Sequence, residues 1–250
     1  MEKPKVAISL DKGLLDEIDR KVDGSVIRSR SQAIEFFLRK GLQDQSITTA
    51  VLLLKGEHQS YALKKIKGQS LIKHQLAFFK KYGIQNVYVI TQYTSSMNDL
   101  LSEIADASLN VEVIEKDVKG TAQALFSIKD KLQKSFLVMS GDTFNNFDLG
   151  GMVKKHFTLN KLATMGLMTR EKPSGYGIAI LDGDLIVDFQ EKPKSFSTHI
   201  VNAGIYLFKP EVFELFEHSV SLEKDVFPKL AKIKQAAGYF TYGEYLHVSD

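Results

Sequence analysis

The sequence predicts an α/β protein: a mostly parallel sheet with helices on both faces and a β-rich extension, preceded by a small strand–helix–helix unit. Three observations predict it. Residues 1–45 hold one strictly alternating stretch followed by two helical stripes. From Ala50 to Ser140, apolar strands alternate with helices, the rhythm of a parallel sheet. From Ala163 to Phe208, strands follow one another closely. The division expected is 1–45 and 49–250, with a polar linker over 43–48 that contains neither Gly nor Pro.

Composition bounds the function. The 250 residues are 44% hydrophobic and 25% charged, ordinary for a globular protein, and the net charge of +3 is too small to argue for nucleic acid by itself. With 0 Cys, disulfides and thiolate metal sites are excluded and a reducing cytosol fits, so a cytoplasmic location is expected. No apolar run approaches the ~20 residues that span a bilayer, and MEKPKVAISLDK has no signal-peptide core. No membrane partner is expected.

In the small unit, Val6, Ile8 and Leu10 alternate with Lys5, Ala7 and Ser9, which predicts a strand with one apolar face. Asp11 suits a helix N-cap, Leu14, Leu15, Ile18 and Val22 form one stripe, and Gly24 ends it. A second helix opens near Ser29 or Ser31, with a stripe of Ala33, Ile34, Phe37, Leu38 and Leu42. One strand and two helices in so few residues cannot bury an adequate core, and a lone strand needs a partner. A homodimer solves both problems, pairing two strands into a ribbon of a size that fits the DNA major groove. The segment resembles the ribbon-helix-helix DNA-binding family of the Arc and methionine repressors, through the alternating strand, the Gly24 turn and Arg28-Ser29-Arg30-Ser31-Gln32-Ala33-Ile34. The resemblance implies double-stranded DNA as partner, with Lys5, Ala7 and Ser9 facing bases and Arg28, Ser29, Arg30 and Ser31 at phosphate. Against this, the segment holds nine Lys/Arg and eight Asp/Glu, a net of only +1.

The large unit opens on a buried strand over Ala50–Leu54 and a turn with one glycine, Gly56, followed by the acid Glu57. Helices are predicted near Leu71–Tyr82 and Ser95–Ala105 and from Gly120. Strands are predicted over Val87–Thr91, Val111–Glu115, Phe136–Ser140, Ala163–Thr169, Ile178–Leu181, Leu185–Gln190 and Val201–Phe208. The later strands are expected to fold back over the sheet. Pro210–Phe216 and Glu223–Lys234 are helical, and a last strand lies near Tyr239–Val248.

Several short motifs follow in order: Gly120-Thr121-Ala122, Gly141-Asp142, Tyr176-Gly177, Glu191-Lys192-Pro193 and Asn202-Ala203-Gly204. An Asp at a strand's C-terminal edge lies where open α/β sheets bind ligands, and could hold Mg²⁺. The order of these motifs resembles the sugar nucleotidyltransferase family, whose enzymes join a sugar 1-phosphate to a nucleoside triphosphate and release pyrophosphate. The resemblance implies a Rossmann-like, mostly parallel fold over 49–250. It implies a nucleotide site at Leu54, Gly56, Gly120, Thr121, Ala122, Gly141 and Asp142, with Asp142 the metal ligand. It implies a sugar site at Tyr176, Gly177, Glu191, Lys192, Asn202, Ala203 and Gly204. Mg²⁺ is expected only alongside a bound nucleotide.

The departures from that family fall on chemistry. Its G-x-G-T-R loop reads Lys55-Gly56-Glu57-His58-Gln59 here, Tyr61 stands near the place of a lysine, and His247 stands at the place of a second metal carboxylate. Transfer between phosphates depends on stabilising crowded charge. The expectation drawn is a dimeric DNA-binding transcription regulator whose transfer-impaired domain senses a nucleotide-sugar or drives oligomerisation, with tetramers left open. The alternative is a working sugar 1-phosphate nucleotidyltransferase with a DNA-binding or dimerisation arm, its loop recruiting Lys55, Lys64 or Lys65 as a phosphate clamp.

Overall fold

The computed structural model describes residues 7–22 and 27–248, apart from the side chains of 39, 40 and 42–44. The chain divides into two compact units, Met1–Ser46 and Ile47–Asp250.

In the first unit, α1 (Lys12–Asp19) starts where the sequence places it: the Asp11 carboxylate accepts the Leu14 N–H at 2.9 Å. Helix α2 runs Arg30–Asp44. Of the predicted stripes, Ile18 and Ala33 are buried, whereas Leu14, Phe37 and Leu38 are exposed. Val22 lies beyond the end of α1; Gly24 and the Leu42 side chain fall outside the described residues.

The expected ribbon would form between two copies of the chain. Lys5 lies outside the described residues, and residues 7–10, with Ala7 and Ser9, are exposed and not in a strand. No strand of the first unit stands beside them to complete a ladder among the described residues. The Arg30 side chain is 56% exposed and is already paired within the unit. Its Nε and a terminal nitrogen bind both Asp19 carboxylate oxygens at 2.7 and 2.6 Å, a forked pair that uses the guanidinium inside the chain. Gln32 occupies the rest of the loop, accepting the Arg28 N–H at 2.8 Å and donating its own N–H to Ser29 Oγ at 3.3 Å, while Ser31 is exposed.

The second unit follows the predicted alternation through its first half. In order come β1 (Thr49–Leu53), α3 (Gln59–Leu63), the short β2 (Lys65–Ile66) and β3 (Gln69–Ser70), and α4 (Leu71–Lys81). Then come β4 (Asn86–Thr91), α5 (Met97–Ile104), β5 (Asn110–Glu115), α6 (Thr121–Phe126) and β6 (Phe136–Ser140). Next are β7 (Thr143–Asn146), α7 (Leu149–Leu159), β8 (Ala163–Thr169), β9 (Gly177–Asp182), β10 (Leu185–Glu191) and β11 (Ile200–Phe208). The unit closes with α8 (Phe227–Lys232), β12 (Ala236–Phe240) and β13 (Glu244–His247).

Nine strands form one sheet in the order β5-β4-β1-β6-β11-β8-β12-β10-β9. The first four are parallel; β11 then runs antiparallel to β6, with Ile205 opposite Met139. The later strands therefore extend the sheet instead of folding back over it, because β11 takes up the hydrogen-bonding edge of β6. Successive residues of each central strand feed opposite faces. Ala50, Leu52, Leu137 and Met139 join one core, and Val51, Phe136 and Val138 join the other. That is why these strands read as unbroken apolar runs.

The predicted last strand is two strands. β12 lies in the large sheet between β8 and β10, while β13 pairs with β7, with His247 opposite Thr143. The break falls at Gly243, whose φ of +158° and close approach to the Asn146 carbonyl oxygen leave no room for a Cβ. Among the described residues no helix is long and apolar enough to cross a membrane.

Candidate functional site

The order β5-β4-β1-β6 puts the first strand between the second and the fourth. Chain crossovers therefore diverge on either side of β1, and a crevice opens at the C-terminal edge between β1 and β6. The loops after β1, β4 and β6 meet there: Leu54 N–H donates to Ile90 O at 3.0 Å, and Gly141 N–H donates to Leu53 O at 2.9 Å.

Side-chain amides shape the loop after β1. Gly56 opens a single 3₁₀ turn, Gly56–His58, and its N–H donates to Gln92 Oε1 at 2.5 Å. The buried Gln59 donates to Gln92 O at 2.6 Å and to Thr91 Oγ1 at 2.9 Å, and accepts from Thr94 Oγ1. The Gly56 N–H is thus engaged by Gln92 and does not stand open to an anion. A cavity of about 490 Å³ lies beside this turn, lined by Leu54, Gly56, Gly120 and Thr121 among the predicted residues. Gln92, Lys116 and Lys119 line it too, and sequence reasoning missed all three. With Lys55, the two lysines bring three cations to one cleft.

Gly120 is required by proximity: a Cβ there would collide with the Val220 carbonyl oxygen. The same oxygen accepts the Ala122 N–H at 2.9 Å, so the buried Ala122 fastens α6 to the segment before α8 and does not line the cavity. Thr121 Oγ1 donates to Glu223 Oε2 at 2.9 Å and accepts the Leu222 N–H at 2.9 Å.

Asp142 stands beyond Gly141 at the end of β6. One carboxylate oxygen accepts from Ser140 Oγ at 2.7 Å, and the other lies 3.2 Å from His58 Nδ1 and 3.5 Å from His247 Nε2. The β13–β7 pairing delivers His247, and the Val248 N–H donates to Asp142 O at 2.9 Å. Burial pushes the Asp142 carboxyl up, but hydrogen bonds from His247 and Ser140 and the adjoining imidazoles outweigh it, so it titrates below the usual carboxylate range. The same hydrogen bond raises His247, against the opposing effect of burial. Among the described residues no group of three or more His, Cys, Asp or Glu side chains is arranged to hold a metal ion.

The predicted sugar residues gather on β9, β10 and β11. Gly177 pairs with Glu191, and a Cβ on Gly177 would lie 2.8 Å from the Glu191 carboxylate. The Lys192 N–H donates to Tyr176 O at 3.2 Å. Burial, with the charge of Glu223, pushes the Glu191 carboxyl up. Asn202 accepts the Gly204 N–H at 2.8 Å and donates to the Tyr206 hydroxyl at 2.6 Å, where β11 slips register against β8. Ala203 is fully buried. Glu223 links the two groups, since it holds Thr121 and acts electrostatically on Glu191.

A family described as Nucleotidyl transferase matches residues 57–245. The chain is similar to the mannose-1-phosphate guanylyltransferase catalytic subunit beta of Drosophila pseudoobscura pseudoobscura, 32% identical over 178 residues, covering 68% of this chain and 48% of that one. The subunit of the same name from Danio rerio is 29% identical over 171 residues, covering 65% and 48%. The chain spans about half the length of these relatives. Among solved structures, a protein assigned as a glucose-1-phosphate thymidylyltransferase from Bacillus anthracis superposes with a TM-score of 0.70 at 20% identity, covering 80% of this chain and 89% of that one. At that identity the match shows a shared fold. These findings overturn the reading of the chain as a DNA-binding transcription regulator built on a transfer-impaired domain: the named relatives are sugar-phosphate nucleotidyltransferases, and the matched region is the bulk of the chain.

Proposed function

The chain belongs to the nucleotidyl transferase family, and on that premise we propose that it joins a sugar 1-phosphate to a nucleoside triphosphate and releases pyrophosphate. A sugar-phosphate oxygen bonds to the α-phosphorus, the bond from that phosphorus to the bridging oxygen breaks, and pyrophosphate leaves with the electron pair. Mannose 1-phosphate with GTP is the first pair to test, after the names of the relatives. The observation that carries the reading is the cavity of about 490 Å³ at the C-terminal ends of β1 and β4, with Asp142 at the end of β6 on the other side of β1.

The residues divide the work by chemistry. Gly56, Gln92 and Gly120 wall the nucleoside space, while Lys55, Lys116 and Lys119 offset polyphosphate charge. Glu191, Lys192 and Asn202 bind the sugar. Mg²⁺ is commonly held by one or two carboxylates together with substrate phosphates, so the single carboxylate of Asp142 fits a metal that arrives with nucleotide. Bound there, the ion would neutralise charge on the reacting phosphates. His58 and His247 would turn away from the shared oxygen to admit it.

Pyrophosphate release from the full chain, measured over a panel of sugar 1-phosphates and nucleoside triphosphates with Mg²⁺, tests the proposal. Release with at least one pair, lost in Asp142→Asn, is expected. Silence across the whole panel would sink it.

We propose further that two copies associate through the first unit, whose Leu14, Phe36, Phe37 and Leu38 are exposed at 44%, 50%, 37% and 59%. Sedimentation of the full chain should give a dimer that dissociates in Phe37→Asp. A monomeric parent chain would refute it.

A further inference from the structure

β8 ends at Thr169, and the next residue, Arg170, is clamped by its backbone. Its N–H donates to His199 O at 3.0 Å, and His199 Nδ1 lies 3.0 Å from Arg170 O. The side chain then passes between two phenols. The guanidinium carbon lies 4.9 Å from the ring centroid of Tyr245 and 5.8 Å from that of Tyr176. Nε is buried and has no hydrogen-bond partner. Arg170 enters no ion pair among the described residues. An open cleft of about 260 Å³ lies against it, shared with Thr169, Glu171 and His199.

A guanidinium carries five donors and no acceptor, and stays charged across the working pH range. Burying one of its donors without a partner is costly. The position of this one is informative. Tyr176 belongs to the sugar group of residues, and Tyr245 feels the charges of both Arg170 and Asp142. Arg170 thus touches one ring of the predicted sugar group and a second, Tyr245, that also feels the Asp142 charge, and it lines a different cleft from the one that holds the three lysines. The loop after β1 holds no arginine and carries Glu57.

We infer that Arg170 is a binding residue for an oxyanion of the sugar substrate, held by its planar fork in the cleft at the end of β8. The inference rests on the proposed transferase reading for the identity of the substrate. Two sources share this chemistry, the 1-phosphate and a carboxylate on the sugar ring, and the experiment separates them.

Calorimetric titration of the full chain with mannose 1-phosphate, mannose and glucuronate needs no turnover, so it can be read even where pyrophosphate release fails. Mannose 1-phosphate is expected to bind the parent chain and neutral mannose to bind far more weakly. Arg170→Gln should weaken the phosphate by about tenfold or more, the scale of a lost charge-assisted hydrogen bond. Arg170→Lys, which keeps charge but not the fork, should fall between. Arginine-dependent binding of glucuronate alone would support the inference with a carboxylate as source. In turnover, the KM for sugar phosphate should rise while the KM for triphosphate and kcat stay near parent values. Binding of mannose 1-phosphate unchanged in an Arg170→Gln chain of parental melting temperature would overturn the inference, as would absence of binding by all three probes.

Discussion

The two ends of the crevice differ in what already fills them. Beside β1 and β4, the cavity is open, and its walls are fixed by backbone contacts and by the Gln59 and Gln92 amides. At the end of β6, the Asp142 carboxylate is enclosed by Ser140, His58 and His247, each within hydrogen-bonding or ion-pairing distance. On the proposed reading, the first region would take the nucleoside without displacing protein groups. A cation or phosphate entering the second must exchange places with imidazoles. Shape is prepared at one end, while charge at the other is already matched internally.

The largest test of that contrast removes the carboxylate. Asp142→Asn should lower pyrophosphate release by on the order of a hundredfold, the scale of one lost charge-stabilising group at a reacting phosphate. Nucleotide binding to the cavity, followed by calorimetry, should change far less; equal losses in both would erase the distinction between the two ends.

A third imidazole supplies the reference for the pair at Asp142. His156 is fully buried without a carboxylate, touching Thr164 Oγ1 at 2.9 Å, and burial together with the Lys209 charge pushes it from 6.5 to about 4. The folded state therefore keeps it neutral where the unfolded chain takes up a proton. Its stabilisation is present above 6.5 and is lost as pH falls towards 4, about 3 kcal/mol in all. The melting temperature of His156→Leu should depend less steeply on pH through that window. His247 has the opposite sign: Asp142 raises it, so its contribution is present below the ordinary imidazole range and fades as pH rises through the raised value. A melting curve of His247→Ala that matches the parent across the neutral range would contradict this.

Gly120→Ala tests the walls of the open end. Its Cβ meets the Val220 carbonyl oxygen, and urea denaturation should show a loss of about 1–3 kcal/mol. The smallest effect is expected from His247→Asp, which exchanges a nitrogen donor for the oxygen donor that Mg²⁺ prefers. Half-saturation of pyrophosphate release should need a few-fold less Mg²⁺, roughly two- to fivefold on that argument; a rise in the requirement would argue that Asp142 does not bind the metal.

Much of the second unit was legible because buried parallel strands are written as contiguous apolar runs, and each of β1, β4, β5 and β6 lies within a residue of its expected place. Asp142 was legible by its place after such a run. α7 was not: Gly150 and Gly151 depress helix propensity in its first turn, and Gly151 is explained only by the nearness of Tyr239 and Asp148 in the folded chain. Nor could local pattern show that β11 would pair with β6, or that His58 and His247 would share one oxygen. Arg30 shows the same limit. Its charge was visible, but its partner, Asp19 on the other helix, was not. The cavity lysines Lys116 and Lys119 follow an ordinary strand and carry no spacing that distinguishes them from solvated surface charge.

The position of β13 also makes one side of the Asp142 carboxylate separable from the rest of the fold. His247 reaches Asp142 only through the pairing of β13 with β7, a two-stranded sheet distinct from the nine-stranded one. Opening of that short pair would bare Asp142 of His247 while every strand of the large sheet stayed paired.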